Sequence, residues 1–162
     1  MIRAPRVTAT RLATASALHA RMGRGDFLDC YSVASTATPR AAAEIITTFP
    51  AWAQALVALR SVVTAPFGLS QEGLQAQEKL GPFPVETETA HELIAGFDDK
   101  HLDFRVAVRS EDGVVSLATW VHPHNVGGRI YLAAIMPFHI LIARDALARV
   151  ARHDTTATPR PA

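Results

Sequence analysis

The chain predicts an α+β fold: a curved antiparallel sheet wrapped around a long C-terminal helix, with two short helices after the first strand. Three observations carry this. The apolar period falls from about four to about two at residue 83. The strand-like runs that follow are joined by short connectors, which makes an antiparallel meander. The last long segment, "RIYLAAIMPFHILIARDALARVAR" after "NVGG", contains no glycine and turns apolar at helical spacing.

The elements follow in order. "DFLDCYSVAS" (26–35) carries Phe27, Tyr31 and Val33 on one strand face. "TATPRAAAEIITTF" then opens a helix, with Thr38 as N-cap and Pro39 at the first helical position. That helix ends at Phe49, because Pro50 follows. Pro50 starts a second helix, where Trp52, Leu56, Leu59 and Val63 share a face. Residues 64–82 hold Pro66, Gly68, Gly81 and Pro82 and read as a loop. "FPVETE", "HELIAGF", "HLDFRVAVR" and "VVSLATWVHPH" are four strands, separated near Thr89, at "DDK" and at "SEDG". Pro123 belongs at a strand end or edge. In the final helix Ile140, Ala143, Leu147 and Val150 line one face, and Pro137 kinks it or marks its true start. The stretch 129–136 could instead form a last strand. The sheet has an apolar face that the long helix is placed to cover, and a cavity fits between them.

The chain has 162 residues, 49% hydrophobic and 19% charged, which suits one globular domain over 26–152. The first 25 residues are expected to be an N-terminal arm packed along it. Their Arg-, Ala- and Thr-rich start has a transit-peptide flavour but lacks the apolar core of a secretory signal. The tail 153–162 reads as disordered. Net charge is +1, with no basic stripe, so nucleic acid is not an expected partner. No run reaches the ~20 apolar residues of a membrane span. A single cysteine, Cys30, fits a reducing, cytoplasmic setting and reads as a buried inert thiol.

The candidate chemistry starts at "DDKHLDFR", residues 98–105. His101, Asp103 and Arg105 share one face of a strand; Leu102 and Phe104 share the other. The polar face meets water on pattern alone. A strong twist would instead turn it toward a cavity mouth, where a carboxylate beside an imidazole makes a general acid or base. Arg105 could pair with Asp103 or hold an anionic oxygen. His139 lies in an apolar helix with Tyr131 two turns earlier; the two make the best acid–base pair on the covering helix. Asp29 interrupts an apolar strand face, as a buried acid paired with Arg105 or Arg129 or as an edge residue. His122 and His124 in "HPH" lack an obvious third ligand, so they read as a solvated turn and no metal site is expected. Tyr31, Trp52, Trp120, Ile135 and Phe138 are expected on the pocket wall. Serine-nucleophile, Walker and CxxC motifs are absent, which disfavours standard hydrolysis, phosphoryl transfer and dithiol redox chemistry.

Four segments, "DFLDCYSV", "PAWAQALVALR", "GFDDKHLDFRVAV" and "LATWVHPHNVGGRIYLAAIMPFHILI", carry a resemblance. The chain resembles the uncharacterised DUF2867 family, and more broadly the helix-grip fold of the Bet v 1/START-like superfamily. The family label implies no established activity. The superfamily implies an apolar ligand pocket and includes lipid carriers, hormone binders and cyclases or dehydratases of polyketide-like substrates. Some family members follow an epimerase-like dehydrogenase in one chain; this chain has no GxGxxG. The resemblance thus implies binding of a small apolar, polyketide- or lipid-like molecule, without a cofactor. An enzyme of this kind would catalyse cyclisation, isomerisation or dehydration through His101, Asp103, Arg105, Tyr131 and His139. The alternatives are a non-catalytic carrier or an interaction module with a filled core. A homodimer is left open.

Overall fold

The computed structural model describes residues 5–55, 79–81 and 83–157. Leu56, Leu59 and Val63 of the expected second helix, nearly all of the expected loop 64–82 and the last five residues lie outside the described residues.

Seven strands form one sheet in the order β1-β2-β7-β6-β5-β4-β3. The expected first strand is β2 (Phe27–Ala34), and it is preceded by a two-residue β1 (Thr8–Ala9) that pairs along its outer edge. α1 (Pro39–Thr47) follows, capped as expected by the Thr38 side chain, which accepts from the Ala41 N–H. Residues 51–55 begin α2. A short β3 (Lys79–Leu80) then leads into the meander β4 (Phe83–Glu88), β5 (Glu92–Asp98), β6 (Leu102–Glu111) and β7 (Val114–Pro123). The β6–β7 turn is Asp112-Gly113, with φ of 51° and 73°, the backbone that a tight hairpin demands. β7 closes the sheet by pairing with β2 over its whole length.

α3 runs from Val126 to Ala157 as one helix. It starts before residue 129, so the alternative of a last strand falls, and it continues past 152, where a disordered tail was expected. The Asn125 side chain sets the start by accepting from the Gly128 N–H at 3.0 Å. Pro137 lies inside the helix rather than at its start. Pro137 and Ala133 are both exposed on the outer side, so the carbonyl left without a donor is on the wet side. By length and composition α3 is apolar enough to cross a membrane, with a mean hydropathy of 1.6 in its best window, though here it packs on the sheet. Arg149 ties it to α1 by donating to the Ile45 and Thr48 carbonyls at 2.8 and 2.6 Å.

Strand alternation sorts the side chains onto two covered faces. Toward α1 and α3 point Tyr31, Val33, Leu93, Val106, Val108 and Leu117, packed against Ala143, Leu147 and Val150. On the other face Cys30, Ile94, Ala107, Ala118 and Trp120 pack with Leu18 of the N-terminal arm. Leu18 has no exposed surface, and burying one leucine is worth about 2 kcal/mol. Glu92, itself buried, pins this arm by accepting from the Ser16 hydroxyl at 2.5 Å and the Ala17 N–H at 2.9 Å.

Candidate functional site

Between the sheet and the first half of α3 lies a cavity of about 110 Å³. Its floor is the α3 face of the sheet, including Phe27, Leu102, Phe104, Thr119 and Val121. Its roof is Tyr131, Leu132, Ile135, Met136 and His139. Tyr131, Ile135 and His139 recur every fourth residue, which places them on one helical face. At one end Phe83, Phe97 and Phe104 pack together with ring centroids 5.4–6.1 Å apart. At the other end the Phe27 ring meets His139 edge-on at 6.1 Å.

His139 is the polar centre of this apolar space. Its Nε2 lies 2.9 Å from Asp29 Oδ2, and both side chains are largely buried. A carboxylate only accepts, so Nε2 carries the proton. In the neutral ring Nδ1 then keeps the lone pair, the arrangement of a held general base. Asp29 Oδ1 is buried and accepts no hydrogen bond from the described residues. Next along β2, burial and then the Asp29 charge push the Tyr31 hydroxyl up, against the pull of Arg144. The Arg144 guanidinium lies 5.8 Å from the Tyr31 ring centroid.

The structure brings together Tyr131, Ile135 and His139 on the cavity wall. It adds Asp29, whose partner is His139 rather than Arg105 or Arg129. Both arginines are otherwise placed: Arg129 is exposed, and Arg105 is buried on the opposite sheet face. There Arg105 bridges Glu86 and Asp98 at 2.8 Å each and donates to the Phe97 and Phe104 carbonyls. Asp103 shares that face and pairs with His124 Nε2 at 3.0 Å. His101 stands just before the strand, its Nδ1 3.0 Å from the Asn125 amide nitrogen. The His101, Asp103 and Arg105 group is thus directed away from the cavity.

Four expected wall residues also lie elsewhere. Trp120 is on the arm-covered face, where its indole N–H donates to Asp26 Oδ2 at 2.8 Å. Trp52 and Phe138 are 45% and 48% exposed. Tyr31 faces α3 but lies in the solid core beside Val33. Residues that sequence reasoning passed over include the phenylalanines of the floor and Asp26. Burial raises the Asp26 pKa, but contacts from His122, the Gly23 N–H and Trp120 outweigh it, so the carboxyl sits below its usual range. Its contact with His122 Nδ1 is 2.5 Å. Among the described residues, no group of three or more His, Cys, Asp or Glu side chains is arranged to hold a metal. Cys30 is buried, and burial together with the Asp29 charge pushes its thiol up to about 11.

A curved antiparallel sheet gripping a long helix over an apolar cavity defines a helix-grip-like α+β domain. The family described as "Protein of unknown function (DUF2867)" matches residues 21–146, and the chain belongs to it. No curated protein and no solved structure matches the chain.

Proposed function

We propose that this is a small-molecule-binding domain of the Bet v 1/START-like kind, in which His139, held by Asp29, acts as a base toward an apolar ligand. The observation that carries this reading is a single imidazole–carboxylate pair on the wall of an otherwise apolar cavity. Burying such a pair costs desolvation that its own attraction often fails to repay, so its presence on a cavity wall points to a functional role. A cavity of about 110 Å³ is smaller than the ~150 Å³ engineered cavity that takes up benzene. It would therefore take at most a ring-sized end of a polyketide- or lipid-like molecule, the rest lying outside. His139 Nδ1 would remove a proton from the held end, and the Tyr131 hydroxyl would donate to the oxygen that gains charge. Cofactor-free isomerisation, cyclisation or dehydration needs no more than this.

The small volume also supports a second reading, a binder or a filled-core module without catalysis. Native mass spectrometry of the protein incubated with a lipophilic extract separates the two. A bound molecule that is chemically changed on release by the native protein, but returned unchanged by His139→Ala, supports the catalytic reading. A molecule returned unchanged by both proteins leaves the carrier. No bound molecule from any extract sinks the pocket reading and leaves the filled core.

A further inference from the structure

The first half of α3 is apolar on both sides. The inward side roofs the cavity. On the outward side Val126, Ile130, Leu141 and Phe138 are 71%, 65%, 60% and 48% exposed. At 100° per residue these four fall within about 120° of one another. Ala133 and Ala134 lie exposed midway along the same stripe. From 126 to 141 Arg129 is the one residue with a full charge. Soluble helices normally turn charged residues outward, and a long exposed apolar stripe marks a contact surface.

We propose that this stripe is the contact surface for a second copy of the chain, packed antiparallel across a twofold axis near Ala133 and Ala134. The stripe is self-complementary about that point. Val126 and Leu141 are equally far from it along the helix, as are Ile130 and Phe138 from Ala134. Antiparallel pairing therefore sets Val126 against Leu141 of the second copy, and Phe138 against Ile130. The alanines at the crossing let the two backbones approach closely, as small residues do where helices cross. A twofold contact requires one patch to fit itself in this way. A lipid surface favours a different pattern, with bulky groups throughout and rows of Lys or Arg along the flanks. The stripe offers some hundreds of Å² per copy, under the ~800 Å² of a standard stable complex. The dimer is therefore concentration-dependent, with a dissociation constant on the order of 10–100 µM.

Sedimentation velocity on the full chain from about 1 to about 300 µM tests this. The native protein passes from monomer to dimer across that range. Ile130→Glu and Phe138→Lys each stay monomeric, with unchanged circular dichroism, because both side chains are exposed. Mixing the two variants restores a heterodimer, since the antiparallel register sets the new carboxylate of one copy beside the new ammonium of the other. A native protein that is monomeric throughout overturns the proposal. So does a dimer that survives both substitutions, or variants that do not recover on mixing. Binding of the monomer to phosphatidylcholine–phosphatidylglycerol vesicles, lost in the same two variants, would assign the stripe to a lipid surface instead and equally overturn it.

Discussion

Filling the cavity from the helix side is the most direct perturbation of the proposed site. An empty space of about 110 Å³, at about 24 cal/mol per Å³, costs the fold roughly 2.6 kcal/mol. That figure is a ceiling, because a cleft that water enters costs less than a sealed void. Ile135→Phe adds ring carbons on the roof and refills part of the space. The expected gain is about 1 kcal/mol, which for a chain of this size raises the unfolding midpoint by roughly 2–4 °C. The assay is thermal and urea unfolding, with and without a ring-sized apolar probe such as indole. In the native protein the probe raises the midpoint. In Ile135→Phe the probe should bind at least about tenfold more weakly, a loss of roughly 1.4 kcal/mol. A variant that is less stable than the native protein and binds indole undiminished would refute the reasoning. It would mean that Ile135 does not border the space that ligands use.

Other outcomes can be checked on the same footing. His139→Ala leaves Asp29 buried without its partner and should cost about 1–3 kcal/mol, while adding Asp29→Ala should cost less than the sum of the two; urea unfolding of the four-protein cycle measures the coupling. The pair formed by Asp103 raises the His124 pKa above the ~6.5 of an unfolded chain, so its stabilisation is full below that pH and fades as pH rises through the folded value. Asp26 shows the opposite sign: its lowered pKa adds stability above about pH 3.9 that fades as pH falls through the folded value. Unfolding series in His124→Gln and Asp26→Asn should flatten the alkaline and acid limbs respectively. In Gly96→Ala the new Cβ would lie 2.0 Å from the Phe104 carbonyl oxygen and 2.9 Å from Arg105 Cα. The backbone of β5 must then move, and loss of at least about 3 kcal/mol, or of soluble protein, is expected.

The meander was legible because turn chemistry and period agree there. "FPVETE" and β4 coincide residue for residue, and "SEDG" contains the Asp-Gly turn that joins β6 to β7. Alternation also gave the direction of Leu102 and Phe104, and hence the placement of Asp103 and Arg105 on the face away from α3; it did not give the burial of Arg105 at 5% exposure, since the expectation there was a face that meets water. It failed at Trp120 because Thr119, Trp120 and Val121 are all buried; a strand covered on both sides shows no parity. The second cover is the N-terminal arm, whose two-residue strand and single turn are too short to leave a period. The Asp29–His139 pair was unreadable for a different reason. Its members stand on the first long strand and the last helix, and only the pairing of β2 with β7 and the packing of α3 on them bring the two within 2.9 Å. Each was flagged alone, Asp29 as a misplaced acid and His139 as a histidine in an apolar helix.

The pairing of β2 with β7 also dictates a folding order. β4, β5, β6 and β7 are linked by short turns and can zip as successive hairpins on their own. β2 cannot join until β7 exists, since Phe27 pairs with Val121 and Ala34 with Val114. On a ribosome the strand made early must wait, with Tyr31 and Val33 unburied, until most of the chain has emerged. Closing so long a loop is slow compared with hairpin formation, so docking of β2 is the expected rate-limiting event. The proton-holding pair is assembled only at that step. A partly folded chain carries the imidazole and the carboxylate but not the site.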